Sequence, residues 1–481
     1  MTESSTQAKN KFYVTTPIYY VNGEPHIGSA YTTIAADVLA RLHRLAGEDV
    51  LFLAGLAEHG NKIAESAEKA GLQPQEYVDG MADKFRSTWK ALDISHDEFI
   101  RTTEPRHAKA VEAFFLKLKD SGKVYEGEYE GWYCVGCESF KKESDLVDGL
   151  CPLHNRKPDW VKEKNWFFKL SDYGDILAEK IKDGEITVLP EARRNEVLSF
   201  IAQGLEDIAI SRRSAKFALP LPWGKDQTVY VWLDELFNYC TAVGYADDRE
   251  NFDKYWPADL HLVGKDIIKF HCIIWPALLL AIGEKPPKAI FAHGFFTSGG
   301  QKMSKTLGNV IDPMAWTEKY GADAVRYFLL REVPFGQDGD VSEEKMLTRY
   351  NGDLANGLGN LFSRLTNMVE KFMDGDVDEY VQSARDLKEV TDSFSRLDFA
   401  GGLVKAWESI AWANKLIDDS KPWELHKTDP DKVKELLKNL VAVLHDIALR
   451  LAPIMPETSD KIRVALEAEK IVKAEPLFLK K

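Results

Sequence analysis

Apolar residues fall in short dense runs through the first half of the chain and in long stepped rows through the last third, and this contrast is the first guide to its organisation. Phe12 to Thr16 is β-branched and aromatic and stops at Pro17, as a buried strand running into a loop would. Ala30 to Arg41 then shows helical periodicity, and Val50-Leu51-Phe52-Leu53-Ala54-Gly55 is a second buried run. Strand, helix and strand within about forty residues predict a right-handed crossover and a parallel sheet, with ligands expected beyond the carboxyl ends of the strands. His26 and Glu58-His59-Gly60 both fall at such ends.

From about Lys117 the character changes, and alternation resumes only at Thr228-Val229-Tyr230-Val231-Trp232, after Pro220 and Pro222. Strand-like segments at Leu260 to Val263 and Ala289 to Ala292 flank a helix expected from Ile267 to about Ile282, so residues 117–227 read as an insertion into a split α/β domain. Beyond Val341 the strands disappear. Leu347, Tyr350, Leu354, Leu358, Leu361, Leu365 and Met368 step by three and four along one apolar helix stripe, and Asn356, Asn360 and Arg364 step by four as a polar row on the same helix. Val433, Leu436, Leu440, Leu444, Ile447 and Leu451 repeat the pattern, predicting a C-terminal helical bundle.

Composition narrows the class. At 481 residues, 44% hydrophobic and 11% aromatic, the chain has apolar material for a core in each part. Its 62 basic against 76 acidic side chains leave a net charge of -14, so nucleic acid would have to meet a local basic face. Five cysteines, three of them between Cys134 and Cys151, argue against a disulfide framework and for a reducing compartment. Met1 to Asn10 is polar and no apolar run reaches membrane-spanning length, so a soluble cytoplasmic protein is expected.

Three stretches carry chemistry. Cys134 and Cys137, followed by Cys151 and His154, give C-x2-C-x13-C-x2-H, a spacing that suits tetrahedral zinc and fills all four positions, hence a structural site. Lys302-Met303-Ser304-Lys305 sits in a polar glycine-flanked loop, where two ammonium groups three residues apart can close over a polyphosphate. His26, at the start of a helix, can donate to phosphate oxygens beside the free backbone amides, while Gly28 removes a side chain that would block a flat purine. Arg193-Arg194 and Arg212-Arg213 suit either solvated surface or contact with a nucleic-acid backbone.

Taken together, Thr16-Pro17-Ile18-Tyr19-Tyr20-Val21-Asn22-Gly23, His26-Ile27-Gly28, Glu58-His59-Gly60, Val231-Trp232-Leu233-Asp234, Gly264-Lys265-Asp266-Ile267, His271, Trp275-Pro276-Ala277 and Lys302-Met303-Ser304-Lys305 resemble the methionyl-tRNA synthetases, class I aminoacyl-tRNA ligases. The resemblance implies a Rossmann-type catalytic domain in two halves (10–116 and 228–295), a zinc-bearing connective peptide (117–227), a stem-contact region with the lysine loop (296–345) and an anticodon-binding helical domain (346–481). It implies activation of methionine by ATP and Mg2+, then transfer to the 3' end of tRNA(Met), with structural Zn2+ and a monomer as the default. His26, Gly28, Ser29, Lys302, Met303, Ser304 and Lys305 would bind ATP, and His26, Lys302 and Lys305 would be catalytic. Ile18, Tyr20, Ala57, Trp232, Glu235, Tyr239, Ile267 and His271 correspond to the methionine pocket, and Asn356, Asn360, Arg364 and Trp423 to the anticodon contacts.

Three positions depart from the family pattern. Ser29 stands where histidine is usual, Ala57 where an aspartate is expected to bind the substrate ammonium, and Glu235 where a small alanine borders the pocket. The readings open at this stage are a methionine ligase in which Glu235 compensates for Ala57, a synthetase whose pocket has shifted toward another amino acid or analogue, and a tRNA- or adenylate-binding protein with little ligase activity.

Overall fold

In the computed structural model, which describes residues 10–152, 155–213, 215–303, 309–377, 383 and 385–481, the first strand, Lys11–Thr15, lies in parallel register between Asp49–Ala57 and Leu260–Gly264. Ala289–His293 continues the sheet beyond Leu260–Gly264, Glu98–Arg101 pairs with Asp49–Ala57, and Tyr19–Tyr20 runs beside Leu56 and Ala57, all in parallel. Phe52 to Ala57 is buried at every position, the signature of a central strand covered on both faces. The predicted parallel sheet is therefore present.

These strands belong to the first of two units, made of residues 1–25, 43–87 and 95–293. Its core joins Tyr13, Leu53 and Ile100 from the sheet to Phe114, Phe115, Phe237 and Trp275 from helices. The insertion supplies a four-stranded antiparallel sheet, in which Val124–Cys134 pairs with Ser139–Lys141 and with Asp159–Phe168, and the latter with Ile208–Ala209. One of its segments, Thr187–Leu189, leaves that sheet and forms an edge of the parallel one, on Ala289–Phe291.

Two expectations change here. The strand expected over Thr228 to Trp232 ends at Val229, and the chain is helical over Val231–Leu236 and again over Asn238–Thr241. Val231, Leu233, Leu236 and Phe237 are all buried, whereas an alternating strand would have turned Leu236 away from the face shared by Val231, Leu233 and Phe237. Arg212 is 4% exposed, holds both oxygens of Glu163 at 3.0 Å and lies 3.9 Å from the Tyr133 ring centre, so it is a structural cation rather than a backbone-phosphate contact. Arg193 and Arg194 pair with Glu196 and Glu191 on their own helix.

The second unit comprises residues 26–42, 88–94 and 294–481. Phe296–Ser298 and Gln301–Lys302 form a hairpin closed by Gly299 and Gly300 at φ +62 and +73, the left-handed pair that a tight two-residue turn demands. The predicted stripe helix is a helical run, Glu343–Arg349, Tyr350–Gly359 and Asn360–Met373, whose middle segment is a π-helix. Phe399–Ser420 and Pro430–Leu451 pack with it, and in the last of these Leu437, rather than Leu436, joins Val433 and Leu440 in the core. Arg326, fully buried, ties the unit together by donating to Asp37 at 2.6 Å and to the carbonyls of Pro453 and Ile454 at 2.8 Å. Among the described residues, no helix is long and apolar enough to cross a membrane.

Candidate functional site

The carboxyl ends of the parallel strands collect charged side chains that the fold then neutralises in pairs. Glu58, just past the end of Asp49–Ala57, accepts from Arg101 at 2.6 Å and from the Thr103 hydroxyl, and burial raises its carboxyl despite these partners. Asp234, on the Val231–Leu236 helix, faces His59 Nδ1 at 2.7 Å and His107 Nε2 at 2.8 Å. Burial works to raise Asp234, yet the two histidines outweigh it and hold the carboxyl well below the usual range. Burial likewise works to lower His59, but the Asp234 charge and hydrogen bond leave its net value raised.

Around this paired charge stand the residues expected to take the amino acid. Trp232 stacks on Phe270 with ring centres 4.1 Å apart, and Tyr20 meets Trp232 edge-on at 6.1 Å. The Tyr239 hydroxyl lies 2.8 Å from His271 Nε2, while His271 Nδ1 lies 3.1 Å from the Ile267 carbonyl. A carbonyl only accepts, so Nδ1 carries the hydrogen and Nε2 accepts from Tyr239. Burial pulls the His271 imidazole down to about 4, making this wall neutral at physiological pH. Ala57 closes its strand opposite Tyr20, in register, and Ile18 and Ile267 pack at the margin of the same core. The structure thus gathers the predicted pocket residues within the first unit.

Glu138 was missed in the sequence, although it directly follows Cys137 in a cysteine knuckle. It is 2% exposed and joins the insertion to the pocket: its carboxylate accepts from the Tyr20 hydroxyl and the Lys62 amide, both at 2.9 Å, and its carbonyl accepts from Tyr230 at 2.6 Å. Beside it, the Trp232 indole donates to the Cys137 carbonyl at 3.3 Å. Gly60, at φ +113, is required here, because a Cβ would stand 2.6 Å from the Glu138 carboxylate. His107, His261 and Phe270 were also missed, since nothing in the local pattern separates them from core residues.

The thiols of Cys134, Cys137 and Cys151 lie within 4.8 Å of one another, with Cys137 and Cys151 at 3.5 Å. Tetrahedral zinc with Zn–S near 2.3 Å would set sulfurs about 3.8 Å apart, so the three thiols fit one ion. His154, the fourth expected ligand, lies outside the described residues. Cys240 and Cys272 are separate buried thiols.

The predicted nucleotide residues lie in the second unit. His26 immediately precedes the helix Ile27–Leu45, and Gly28 donates its amide to His26 Nδ1 at 3.1 Å. Ser29 is buried and directs its hydroxyl to the His26 carbonyl at 2.7 Å, while accepting from the His26 amide at 3.1 Å. Lys302 follows the Gly299-Gly300 turn in its hairpin strand and Met303 comes next, but Ser304 and Lys305 lie outside the described residues. On the helical run, Asn356 and Asn360 are exposed, Asn360 donates to Asn414 at 3.2 Å, and Arg364 pairs with Asp418 at 2.6 Å. Trp423 is 45% exposed.

Comparison with known proteins gives the family. The family profile for class I tRNA synthetases (M) matches residues 12–157 and 141–366. The methionine–tRNA ligase of Caldanaerobacter subterraneus subsp. tengcongensis is 47% identical over 94% of this chain and 73% of its own length, and that of Rickettsia conorii is 45% identical over 98% and 94%. The crystal structure of the Mycobacterium tuberculosis methionyl-tRNA synthetase bound by methionyl-adenylate superposes with a TM-score of 0.93 at 39% identity, covering 98% of this chain and 100% of that one. By this family profile, these identities and this superposition, each over most of its length, the chain belongs to the methionyl-tRNA synthetases, class I aminoacyl-tRNA synthetases.

Proposed function

We propose that this chain acts as a methionine–tRNA ligase whose side-chain slot is the neutral aromatic pocket of Tyr20, Trp232, Tyr239 and His271. The observation that carries the reading is the Tyr239–His271 pair at 2.8 Å, in which the hydroxyl and both ring nitrogens are already engaged. Such a wall offers ring faces and edges to a polarisable thioether and no free charge to a polar side chain.

The methionine carboxylate attacks the α-phosphate of ATP, which enters as its magnesium complex; a carboxyl–phosphate anhydride forms and pyrophosphate leaves. A hydroxyl of the terminal tRNA ribose then attacks the methionyl carbonyl, gives up its proton and displaces AMP. No protein nucleophile is needed, so the chain contributes position and charge. His26, at the start of the Ile27–Leu45 helix, takes phosphate oxygens, Ser29 shapes that turn, and Lys302 with Lys305 neutralises the departing pyrophosphate. Cys134, Cys137, Cys151 and His154 would hold a structural Zn2+, and the Glu138 turn that follows Cys137 would be fixed beside Tyr20 by that cross-link.

Asn356, Asn360, Arg364 and Trp423 read the anticodon, the half-exposed indole stacking on an unpaired base. The domain plan follows: catalytic halves over 10–116 and 228–295, connective peptide over 117–227, stem contact over 296–345 and anticodon recognition over 346–481. The chain works as a monomer in the reducing cytoplasm, a setting that suits cysteines of which none is in a disulfide.

The test is amino-acid-dependent exchange of labelled pyrophosphate into ATP, followed by charging of tRNA(Met). Methionine should drive both well above leucine, glutamate and glutamine. Exchange driven by another amino acid, or none from folded zinc-loaded protein, overturns the reading.

A further inference from the structure

Four carboxylates surround the proposed amino-acid pocket, and three are spoken for. Glu58 is held by Arg101 and Thr103, Asp234 by His59 and His107, and Glu138 by the Tyr20 hydroxyl and the Lys62 amide. Glu235 differs. It is 5% exposed, and its Oε1 is buried without a hydrogen-bond partner among the described residues. An orphaned buried carboxyl oxygen is costly, and a fold retains one where a ligand completes it.

Its position says which ligand. Val231–Leu236 and Asn238–Thr241 are joined by helical backbone at Phe237, so Trp232, Glu235 and Tyr239, spaced three and four apart, share one face. Two of the three are walls of the slot. Tyr20, the facing wall, hydrogen-bonds with the Glu235 carboxyl, leaving Oε1 without a partner, and Glu138, Asp234, Tyr239 and Lys62 interact with it electrostatically. Opposite Tyr20 in the sheet stands Ala57, which offers only a methyl group. Burial raises the Glu235 carboxyl well above its ordinary range; a hydrogen bond with Tyr20 and the charge of Lys62 work against the rise, while Glu138 and Asp234 add to it.

We infer that Glu235 is the acceptor for the α-ammonium group of the amino-acid substrate, its free Oε1 taking one ammonium hydrogen while Trp232 and Tyr239 on the same helical face hold the side chain. The ligand class is a primary α-ammonium compound with an apolar side chain, and the inference rests on the pocket assignment made above. In the complex the two groups form a carboxylate–ammonium pair, the ammonium N–H donating and Oε1 accepting.

Two ligands without a carboxylate separate this contact from the rest of the pocket: methioninol, which keeps the ammonium, and 4-(methylthio)butan-1-ol, which lacks it. Each is titrated as a competitive inhibitor of methionine-dependent exchange with full-length, zinc-loaded wild type, Glu235→Gln, Glu235→Ala and the double variant Ala57→Asp with Glu235→Ala. Losing one charge-assisted hydrogen bond should weaken methioninol about 10- to 100-fold in Glu235→Gln, leave the desamino alcohol unchanged, and be reversed in part by the double variant. Equal weakening of both alcohols would make Glu235 a packing residue and overturn the inference; so would unchanged methioninol binding, or a gain in methionine exchange on removing the carboxyl. Where wild type shows no methionine-dependent exchange, inhibitor affinity is read by direct calorimetric titration instead. The pocket assignment then fails separately, and the ratio of the two alcohols still decides the Glu235 contact.

Discussion

Replacing Asp234 with asparagine tests whether its hydrogen-bonded trio with His59 and His107 holds the first unit together. Asp234 is 1% exposed and receives His59 Nδ1 at 2.7 Å and His107 Nε2 at 2.8 Å, each from a different segment of the chain. Asparagine keeps the shape and one acceptor but removes the charge. A hydrogen bond to a charged group contributes about 1.5–3 kcal/mol, and breaking a buried ion pair costs about 3–5 kcal/mol. With one acceptor retained, a loss of about 3 kcal/mol is expected, roughly two decades in the unfolding equilibrium.

The pH dependence supplies a second signature. The folded Asp234 carboxyl is depressed, so its stabilisation is present above its unfolded value of about 3.9 and is lost only in strong acid. The folded His59 imidazole is raised, so its stabilisation is full below about 6.5 and fades as pH climbs through the raised value. Urea unfolding at pH 6 and pH 8.5 should therefore show wild type losing stability toward alkaline pH, and Asp234→Asn starting lower with a flatter slope. A variant with the wild-type midpoint and the wild-type slope would refute the argument.

Three further outcomes follow from the same contacts. Arg326→Met removes a fully buried guanidinium from Asp37 and from the carbonyls of Pro453 and Ile454, so unfolding should be easier by about 3–5 kcal/mol, read as the midpoint of chemical denaturation. Chelating zinc, or Cys151→Ser, should loosen the Cys137 and Glu138 contacts to Trp232 and Tyr20 and raise the KM for methionine about 10-fold or more, with metal content by atomic absorption falling in step; unchanged KM at zero zinc would sink the link. Trp423→Ala should weaken tRNA(Met) binding by about 1–3 kcal/mol while leaving tRNA-independent pyrophosphate exchange intact, a split that fluorescence titration and exchange kinetics together reveal.

Features written in neighbouring residues were legible in the chain alone. The strand runs Phe12 to Thr16 and Val50 to Gly55, the cysteine spacing and the stepped leucines all depend on local periodicity: both strands formed, Cys134, Cys137 and Cys151 came together, and the stepped rows became helices, with Leu437 taking the core place read for Leu436. The boundary at Tyr230 did not, because Thr228 to Trp232 satisfies a strand pattern as well as the first turn of a helix, and burial of Val231, Leu233, Leu236 and Phe237 chose the helix. The same holds for Thr187–Leu189, three residues whose place in the parallel sheet is set by a partner a hundred positions away.

At the site the division is sharper. Which side chains are present is written in the chain: the aromatic residues, His271, the two lysines, and the exchange of Ala57 for a carboxylate at Glu235. What each of them meets was set by folding. Glu138 reaches Tyr20 across an insertion, Asp234 finds two histidines from distant segments, and Glu235 alone among the four carboxylates is left with a free buried oxygen. Hydrogen bonding and desolvation act through space over a few ångströms, whereas periodicity along the chain reports only on residues close in sequence.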